Sequence, residues 1–192
     1  MVIGATSTGK TTAVLQIIKK QLINPMPRKI FYLYGAKQPF MRTWNSIKGN
    51  PQIQFIEGLQ LDVIESCDEP KLLIIDDLMM EQNKELAQHF IAGSHHKNTT
   101  TIYITHSIFL NNENYRLVSN NCQYMILMKN KRNYAQVKQL ARQVLMEGYY
   151  RVVEAYKYIG SYGFVMLSFH PKVPEELLVT ADYFEKCPSV FL

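Results

Sequence analysis

The sequence predicts an α/β domain built on a mostly parallel sheet. Short apolar runs alternate with amphipathic stretches along the whole chain, which is the pattern of strands joined by crossover helices. No internal repeat or low-complexity segment interrupts that alternation. The chain has 192 residues, 47% hydrophobic and 19% charged, a globular composition that can bury a sizeable core. With 9 Gly and 8 Pro it is neither fibrous nor linker-rich. The reading is one domain over residues 1–170, followed by a small C-terminal segment, 171–192.

Met1 to Ile3 reads as the end of a strand. Lys10 to Ile23 puts Val14, Ile17 and Ile18 on one face, with Lys19 and Lys20 near its end, and predicts a helix. Lys29 to Tyr34 is apolar and aromatic, bounded by Pro27 and Gly35, and predicts a strand. Ile53 to Ile56 is a short strand closed by Gly58, and Lys71 to Ile75 is a buried strand ending in two aspartates. A helix follows over Gln82 to Ala92 and a β-branched strand over Thr100 to Thr105. Tyr124 to Met128 predicts another strand. Ala135 to Leu145 predicts a helix with Val137, Leu140, Ala141 and Val144 inward and Lys138 and Arg142 outward. Gly163 to Phe169 is a late strand, after which Pro171 and Pro174 break the pattern.

Composition bounds the function. The 21 Lys+Arg against 16 Asp+Glu leave a net charge of +5, which permits a polyanionic partner without demanding one. Cys67, Cys122 and Cys187 share no CxxC spacing, so neither a disulfide framework nor a zinc knuckle is expected, and the chain reads as intracellular. The N-terminus has no basic lead-in before an apolar run, and no stretch approaches the roughly 18 apolar residues of a membrane span.

The strongest chemical signal is Gly4-Ala5-Thr6-Ser7-Thr8-Gly9-Lys10-Thr11, which fits G-x-x-x-x-G-K-[ST], with Thr12 next. An apolar strand end precedes it and an amphipathic helix follows. A triphosphate needs many donors at close range. Glycines let the backbone turn its N–H groups inward, and the helix N-terminus adds its dipole. Gly4, Ala5, Thr6, Ser7, Thr8, Gly9, Lys10, Thr11 and Thr12 are therefore the candidate ATP-binding residues. Lys10 would place a point charge on the β- and γ-phosphates, and the Thr11 hydroxyl would bind Mg²⁺.

The other half of such a site is a buried strand ending in acid, and Leu72-Leu73-Ile74-Ile75-Asp76-Asp77 supplies it. Asp76 would hold Mg²⁺ and Asp77 would orient and deprotonate the attacking water. Glu81 is a second acid candidate, equally accounted for by a solvated helix start. His106, after Thr105 at the end of its strand, is the candidate γ-phosphate sensor. His95-His96 has no carboxylate or cysteine at ligand spacing and reads as a loop.

With these residues in hand, the chain resembles the FtsK–HerA-type genome-packaging ATPases of double-stranded DNA viruses, and most of all those of Polinton (Maverick) elements and adintovirus-like viruses. The resemblance runs nearly end to end. It rests on Tyr32-Leu33-Tyr34-Gly35-Ala36-Lys37-Gln38-Pro39, Phe55-Ile56-Glu57-Gly58-Leu59 and Ile74-Ile75-Asp76-Asp77-Leu78-Met79. It continues through His95-His96-Lys97-Asn98, Ile102-Tyr103-Ile104-Thr105, Leu140-Ala141-Arg142-Gln143 and His170-Pro171-Lys172. Two departures stand out. The family carries Gln-Asn where this chain has His106-Ser107, and it has a longer first strand, so the N-terminal strand here reads as truncated.

The resemblance implies a P-loop NTPase three-layer sandwich of the type with an extra strand between the two phosphate-site strands. It implies an ATPase that translocates double-stranded DNA into a capsid, working as a homo-oligomeric ring, a hexamer, with capsid proteins as partners and no membrane. Its place would be the host nucleus or a viral assembly site, transiently at the capsid. Such rings use a neighbour's arginine against the transferring phosphoryl. Arg132, in Lys129-Asn130-Lys131-Arg132, is the first candidate, with Arg116 and Arg142 as alternatives. Lys129, Lys131 and Arg132 equally suit the wall of a DNA channel. Alternative functions are a segregation or conjugation pump of the same superfamily, or a non-catalytic nucleotide-binding remnant of an integrated element.

Overall fold

Leu72, Leu73, Ile74 and Ile75 show no polar alternation, and a run of that kind folds as a strand covered on both faces. The computed structural model describes residues 1–78, 84–93, 98–185 and 187–192, with side chains at all of these except 65, 92 and 93. Of the nine strands described, six take part in parallel pairings, as the alternation predicts. The nine are β1 (Val2–Ile3), β2 (Lys29–Tyr34), β3 (Gln54–Glu57), β4 (Lys71–Asp76), β5 (Thr99–Thr105), β6 (Tyr124–Met128), β7 (Phe164–Ser168), β8 (Val179–Ala181) and β9 (Ser189–Val190). The α-helices among the described residues are α1 (Lys10–Lys19), α2 (Leu61–Glu65), α3 (Lys84–Gln88), α4 (Glu113–Asn120), α5 (Tyr134–Leu145) and α6 (Tyr150–Tyr158). The chain divides into two compact units.

One unit comprises Thr11–Thr105 and Asn111–Asn121. Its strands run in the order β3-β2-β4-β5, and every pairing is parallel. All of β4 is buried, and Leu72, Leu73, Ile74 and Ile75 expose nothing. Each such side chain contributes about 1.5–3 kcal/mol on burial. Parallel pairing brings the C-terminal ends of these strands to one edge, with Tyr34 opposite both Glu57 and Asp76. Helix α1 buries Val14 and Ile18 completely and stops earlier than its apolar pattern suggests. Gln21 adopts a left-handed conformation (φ 53°) there. The Leu22 N–H reaches back to Ile17 O at 3.0 Å and Gln21 N–H to Ile18 O at 3.1 Å, which closes the helix end with paired carbonyls. The helix expected over 82–92 is α3 followed by a π-helical turn, His89–Gly93, and residues 82 and 83 lie outside the described residues. Helix α4 starts at an N-cap, with Asn112 Oδ1 accepting from Tyr115 N–H at 3.0 Å.

The other unit comprises Met1–Lys10, His106–Leu110 and Cys122–Leu192. Its strands run β1-β6-β7-β8-β9, parallel between β1 and β6 and antiparallel thereafter. The two-residue β1 is extended by Met1, whose amino group donates to Tyr124 O at 2.7 Å and whose carbonyl accepts from Ile126 N–H at 2.9 Å. Met128 ends β6 opposite Phe164, the first residue of β7. The segments after β1, after β6 and before β7 therefore share one edge. Helix α5 buries Val137, Leu140 and Ala141, as its periodicity predicts, while Val144 is half-buried. Helix α6 buries Val152, Ala155 and Tyr156. The segment 171–192 supplies β8 and β9, and Arg151 Nε donates to Phe191 O at 2.7 Å.

Tyr156 anchors the edge of this second unit. Its hydroxyl accepts from Asn130 N–H at 2.7 Å and has Met128 O at 3.0 Å and Asn130 O at 3.2 Å as acceptors. Tyr156→Phe keeps the ring and removes all three contacts. It should cost about 1–3 kcal/mol in urea unfolding, and an unchanged midpoint would show that the segment after β6 holds without the phenol.

Candidate functional site

In the unit containing β1, residues 4–9 join β1 to α1. A Cβ on Gly4 would lie 2.5 Å from Thr8 Oγ1 and 2.7 Å from Met128 Cβ, so no side chain fits. Gly9 has φ +93°, a conformation that L side chains rarely adopt. Gly4 is thus required by the side chains packed against it and Gly9 by its backbone conformation. Ser7 is also left-handed (φ 63°). The Thr8 hydroxyl donates to Ala5 O at 2.8 Å and its N–H at 3.3 Å, which tightens the loop. Thr6, Ser7 and Thr12 are exposed.

Lys10 is only 7% exposed. Its ammonium donates to Ala5 O at 2.9 Å and lies 3.1 Å from His106 Nδ1. An ammonium offers only donors, so Nδ1 is the acceptor in this pair. The structure thus brings the candidate sensor His106 to the candidate phosphate lysine. Sequence reasoning passed over Tyr162. It is left-handed (φ 63°) and 73% exposed, and its Cδ1 lies 3.5 Å from the position a Gly9 Cβ would take. An aromatic in the glycine-bounded turn 160–163 was the available signal.

The basic segment after β6 separates into two kinds of residue. Lys129 is committed to the fold: its ammonium donates to Tyr156 O and, at 3.2 Å, to Lys157 O, and lies 5.3 Å from the ring centres of Tyr134 and Tyr156. It caps the end of α6, where carbonyls and dipole favour a cation, and this displaces the DNA-channel reading for Lys129. Lys131 and Arg132 are exposed, and Arg132 N–H donates to Asn130 Oδ1 at 3.0 Å. Arg132 therefore lies on the same edge as the 4–9 loop. Arg142 is exposed on α5 with its guanidinium carbon 5.0 Å from the Tyr149 ring centre. Arg116 is exposed on α4 in the other unit.

In that other unit, Asp76 ends β4 with 4% exposure. A buried carboxylate needs donors. Its Oδ2 receives the Tyr32 hydroxyl at 2.5 Å and Gln38 Nε2 at 2.7 Å. Tyr32 is itself fully buried. Burial above all, then the charge of Asp76 and its hydrogen bond, holds the Tyr32 phenol far above the ordinary tyrosine range, with Thr11 pulling the other way. Tyr32 therefore remains a proton donor to Asp76. Thr11 and Asp76 are the two predicted metal ligands, and both belong to this unit. A carboxylate and a hydroxyl are the hard oxygen donors that Mg²⁺ takes, so the donor set fits that ion. Among the described residues no group of three or more His, Cys, Asp or Glu could hold a metal.

Asp77, the next residue, is exposed and left-handed (φ 56°). Its carbonyl lies 2.6 Å from where a Gly35 Cβ would be, and Gly35 N–H donates to Asp76 O at 3.1 Å. The turn after β2 thus holds the backbone after β4 in this conformation. The two adjacent acids leave the strand in opposite environments, one buried and one in solvent. Glu81, His95 and His96 lie outside the described residues.

Gly4→Ala should destabilise the chain by about 1–3 kcal/mol through overpacking and should disorder the loop. Gly160 has open space around its Cβ position, so Gly160→Ala is the matched control and should leave stability within about 0.5 kcal/mol. Thermal unfolding of both variants checks this, and equal effects would refute the steric account of Gly4.

No protein-family model matches the chain, and no curated protein matches it in sequence. Solved structures do. The genome packaging NTPase B204 from Sulfolobus turreted icosahedral virus 2, in complex with ATP-gammaS, superposes with a TM-score of 0.61 at 11% sequence identity, covering 90% of this chain and 92% of that chain. The same protein in complex with AMP gives 0.60 at 9% identity over 100% of this chain and 95% of that one. B204 described as the DNA-packaging ATPase from Sulfolobus turreted icosahedral virus gives 0.60 at 11% identity over 90% and 92%. At these identities the likeness establishes the fold: this chain has the α/β P-loop NTPase fold of those proteins.

Proposed function

We propose that this chain is an ATPase subunit that drives double-stranded DNA into a viral capsid. The observation that carries the reading is the 4–9 loop, in which packing requires Gly4, backbone conformation requires Gly9, and the Lys10 ammonium is held against Ala5 O and His106. The shared fold with packaging NTPases solved with ATP-gammaS and AMP supports the nucleotide and the cargo. The sequence strings quoted above support a place near the Polinton and adintovirus-like ATPases within that class.

On this reading, phosphate binding exchanges the contacts of Lys10 with Ala5 O and His106 for contacts with phosphate oxygens. His106 would then report the γ-phosphate. Thr11 and Asp76 would hold Mg²⁺, whose charge would offset that of the phosphates. Asp77, exposed beside the buried Asp76, orients the attacking water and takes its proton. Arg132, exposed on the edge of the 4–9 loop, is the candidate finger toward a neighbouring subunit in a ring, and Lys131 is a candidate DNA contact. Capsid proteins as partners and the viral assembly site as location belong to the same proposal.

ATP turnover with and without duplex DNA tests the reading. Lys10→Ala should lose nucleotide binding and turnover together. Asp77→Asn should bind ATP as the wild type does and lower turnover by about 100-fold or more, the scale of general-base catalysis. Wild-type turnover by Asp77→Asn would pass the role of base to Glu81.

DNA binding should ignore sequence and fall steeply as salt rises, because a motor meets the repeating phosphate backbone. Fluorescence anisotropy with two unrelated duplexes at low and moderate salt measures this. An affinity that is flat in salt would overturn the DNA assignment while leaving the ATPase intact.

A further inference from the structure

Strands β2 and β4 pair with Tyr34 opposite Asp76 and Tyr32 opposite Ile74. Tyr32 and Asp76 therefore share a face of the sheet, two residues apart along the strand direction, or about 6.6 Å at the usual rise. A phenol is long enough to span that gap, and the Tyr32 hydroxyl meets Asp76 Oδ2 at 2.5 Å. The ring cannot swing away. It is fully buried, with Phe40 and Phe55 each 5.7 Å from it centre to centre. The same carboxylate oxygen receives Gln38 Nε2 at 2.7 Å, which stops rotation of the carboxylate. A buried hydroxyl and an amide thus fix the strand residue whose oxygens suit a divalent cation.

We propose that Tyr32, seconded by Gln38, is a positioning residue for the divalent metal: it sets the Asp76 carboxylate in place before the metal arrives. Groups that orient metal ligands typically matter about 10- to 100-fold in metal affinity. The proposal rests on the nucleotide reading above, because Mg²⁺ at such a site is shared with substrate phosphates. Tyr32 touches neither metal nor substrate on this account, so its effect must appear in metal dependence and not in nucleotide affinity as such.

The experiment uses the full chain, a fluorescent ATP analogue and a Mg²⁺ titration, with an EDTA arm. Tyr32→Phe should keep the EDTA affinity within about twofold of wild type and weaken the apparent Mg²⁺ affinity about 10- to 100-fold. Gln38→Leu should weaken it less, about threefold or more, because Asp76 keeps the phenol. Repeating the titration with Mn²⁺ should give the same order of variants. A folded Tyr32→Phe with wild-type Mg²⁺ dependence would overturn the proposal and leave Tyr32 a packing residue. Equal losses with EDTA and with Mg²⁺ would overturn it too, since the defect would then lie in nucleotide binding. Should Tyr32→Phe not fold, Gln38→Leu decides alone: a weakened Mg²⁺ affinity supports the proposal and an unchanged one overturns it. A wild-type chain that binds no nucleotide at all would instead overturn the nucleotide reading, and this proposal with it.

Discussion

A carboxylate at the end of the most apolar strand imposes the central constraint on this molecule. Burying Asp76 to 4% exposure carries a desolvation cost that only well-aimed donors can offset. Tyr32 and Gln38 provide them, and each provision commits further structure. Tyr32 reaches Asp76 only in the observed register of β2 on β4, and a slip of one residue would turn its ring to the opposite face. Gln38 reaches it only because the chain turns at Gly35, where the Asp77 carbonyl leaves no room for a Cβ. The aromatic cluster of Tyr32, Phe40 and Phe55 then ties β3 and the segment after β2 to the same point.

The loop after β1 obeys the mirror-image rule for a cation. Lys10, nearly buried, has Ala5 O and His106 Nδ1 within hydrogen-bond distance. Lys129 differs in kind. It satisfies the carbonyls at the end of α6 and lies against two tyrosine rings, so its charge is spent on the fold. Two lysines at the same edge of one unit therefore have opposite meanings, and the difference lies in their partners.

Elements with a strong local pattern were legible in advance. The apolar runs of β2, β4, β5 and β6 and the three- and four-residue spacing in α1 and α5 identify themselves, because burial on a fixed period leaves a trace in a single sequence. Helix α4, helix α6 and strands β8 and β9 left no such trace. Helix α6 reads Tyr-Arg-Val-Val-Glu-Ala-Tyr-Lys-Tyr, rich in β-branched and aromatic residues that favour strands, and burial of Val152, Ala155 and Tyr156 overrides that preference. Strands β8 and β9 span only Val179–Ala181 and Ser189–Val190 and exist because β7 offers an edge to pair with. Helix α1 was read too long because a left-handed Gln21 ends it, and glutamine carries no advance sign of that conformation.

The sequence by itself determined the parts of the site whose chemistry is local. Glycines at 4 and 9 followed by Lys10 and Thr11, and an apolar run closed by two acids, state which atoms are on offer. The tertiary structure alone decided how those atoms are partnered. Asp76 and Asp77 are adjacent acids in the sequence, yet one ends buried under Tyr32, 44 residues away, and the other faces solvent. His106 meets Lys10 across 96 residues. Periodicity encodes which face of an element is buried, but a hydrogen bond between distant side chains depends on strand order and register, and these arise only when the sheet assembles.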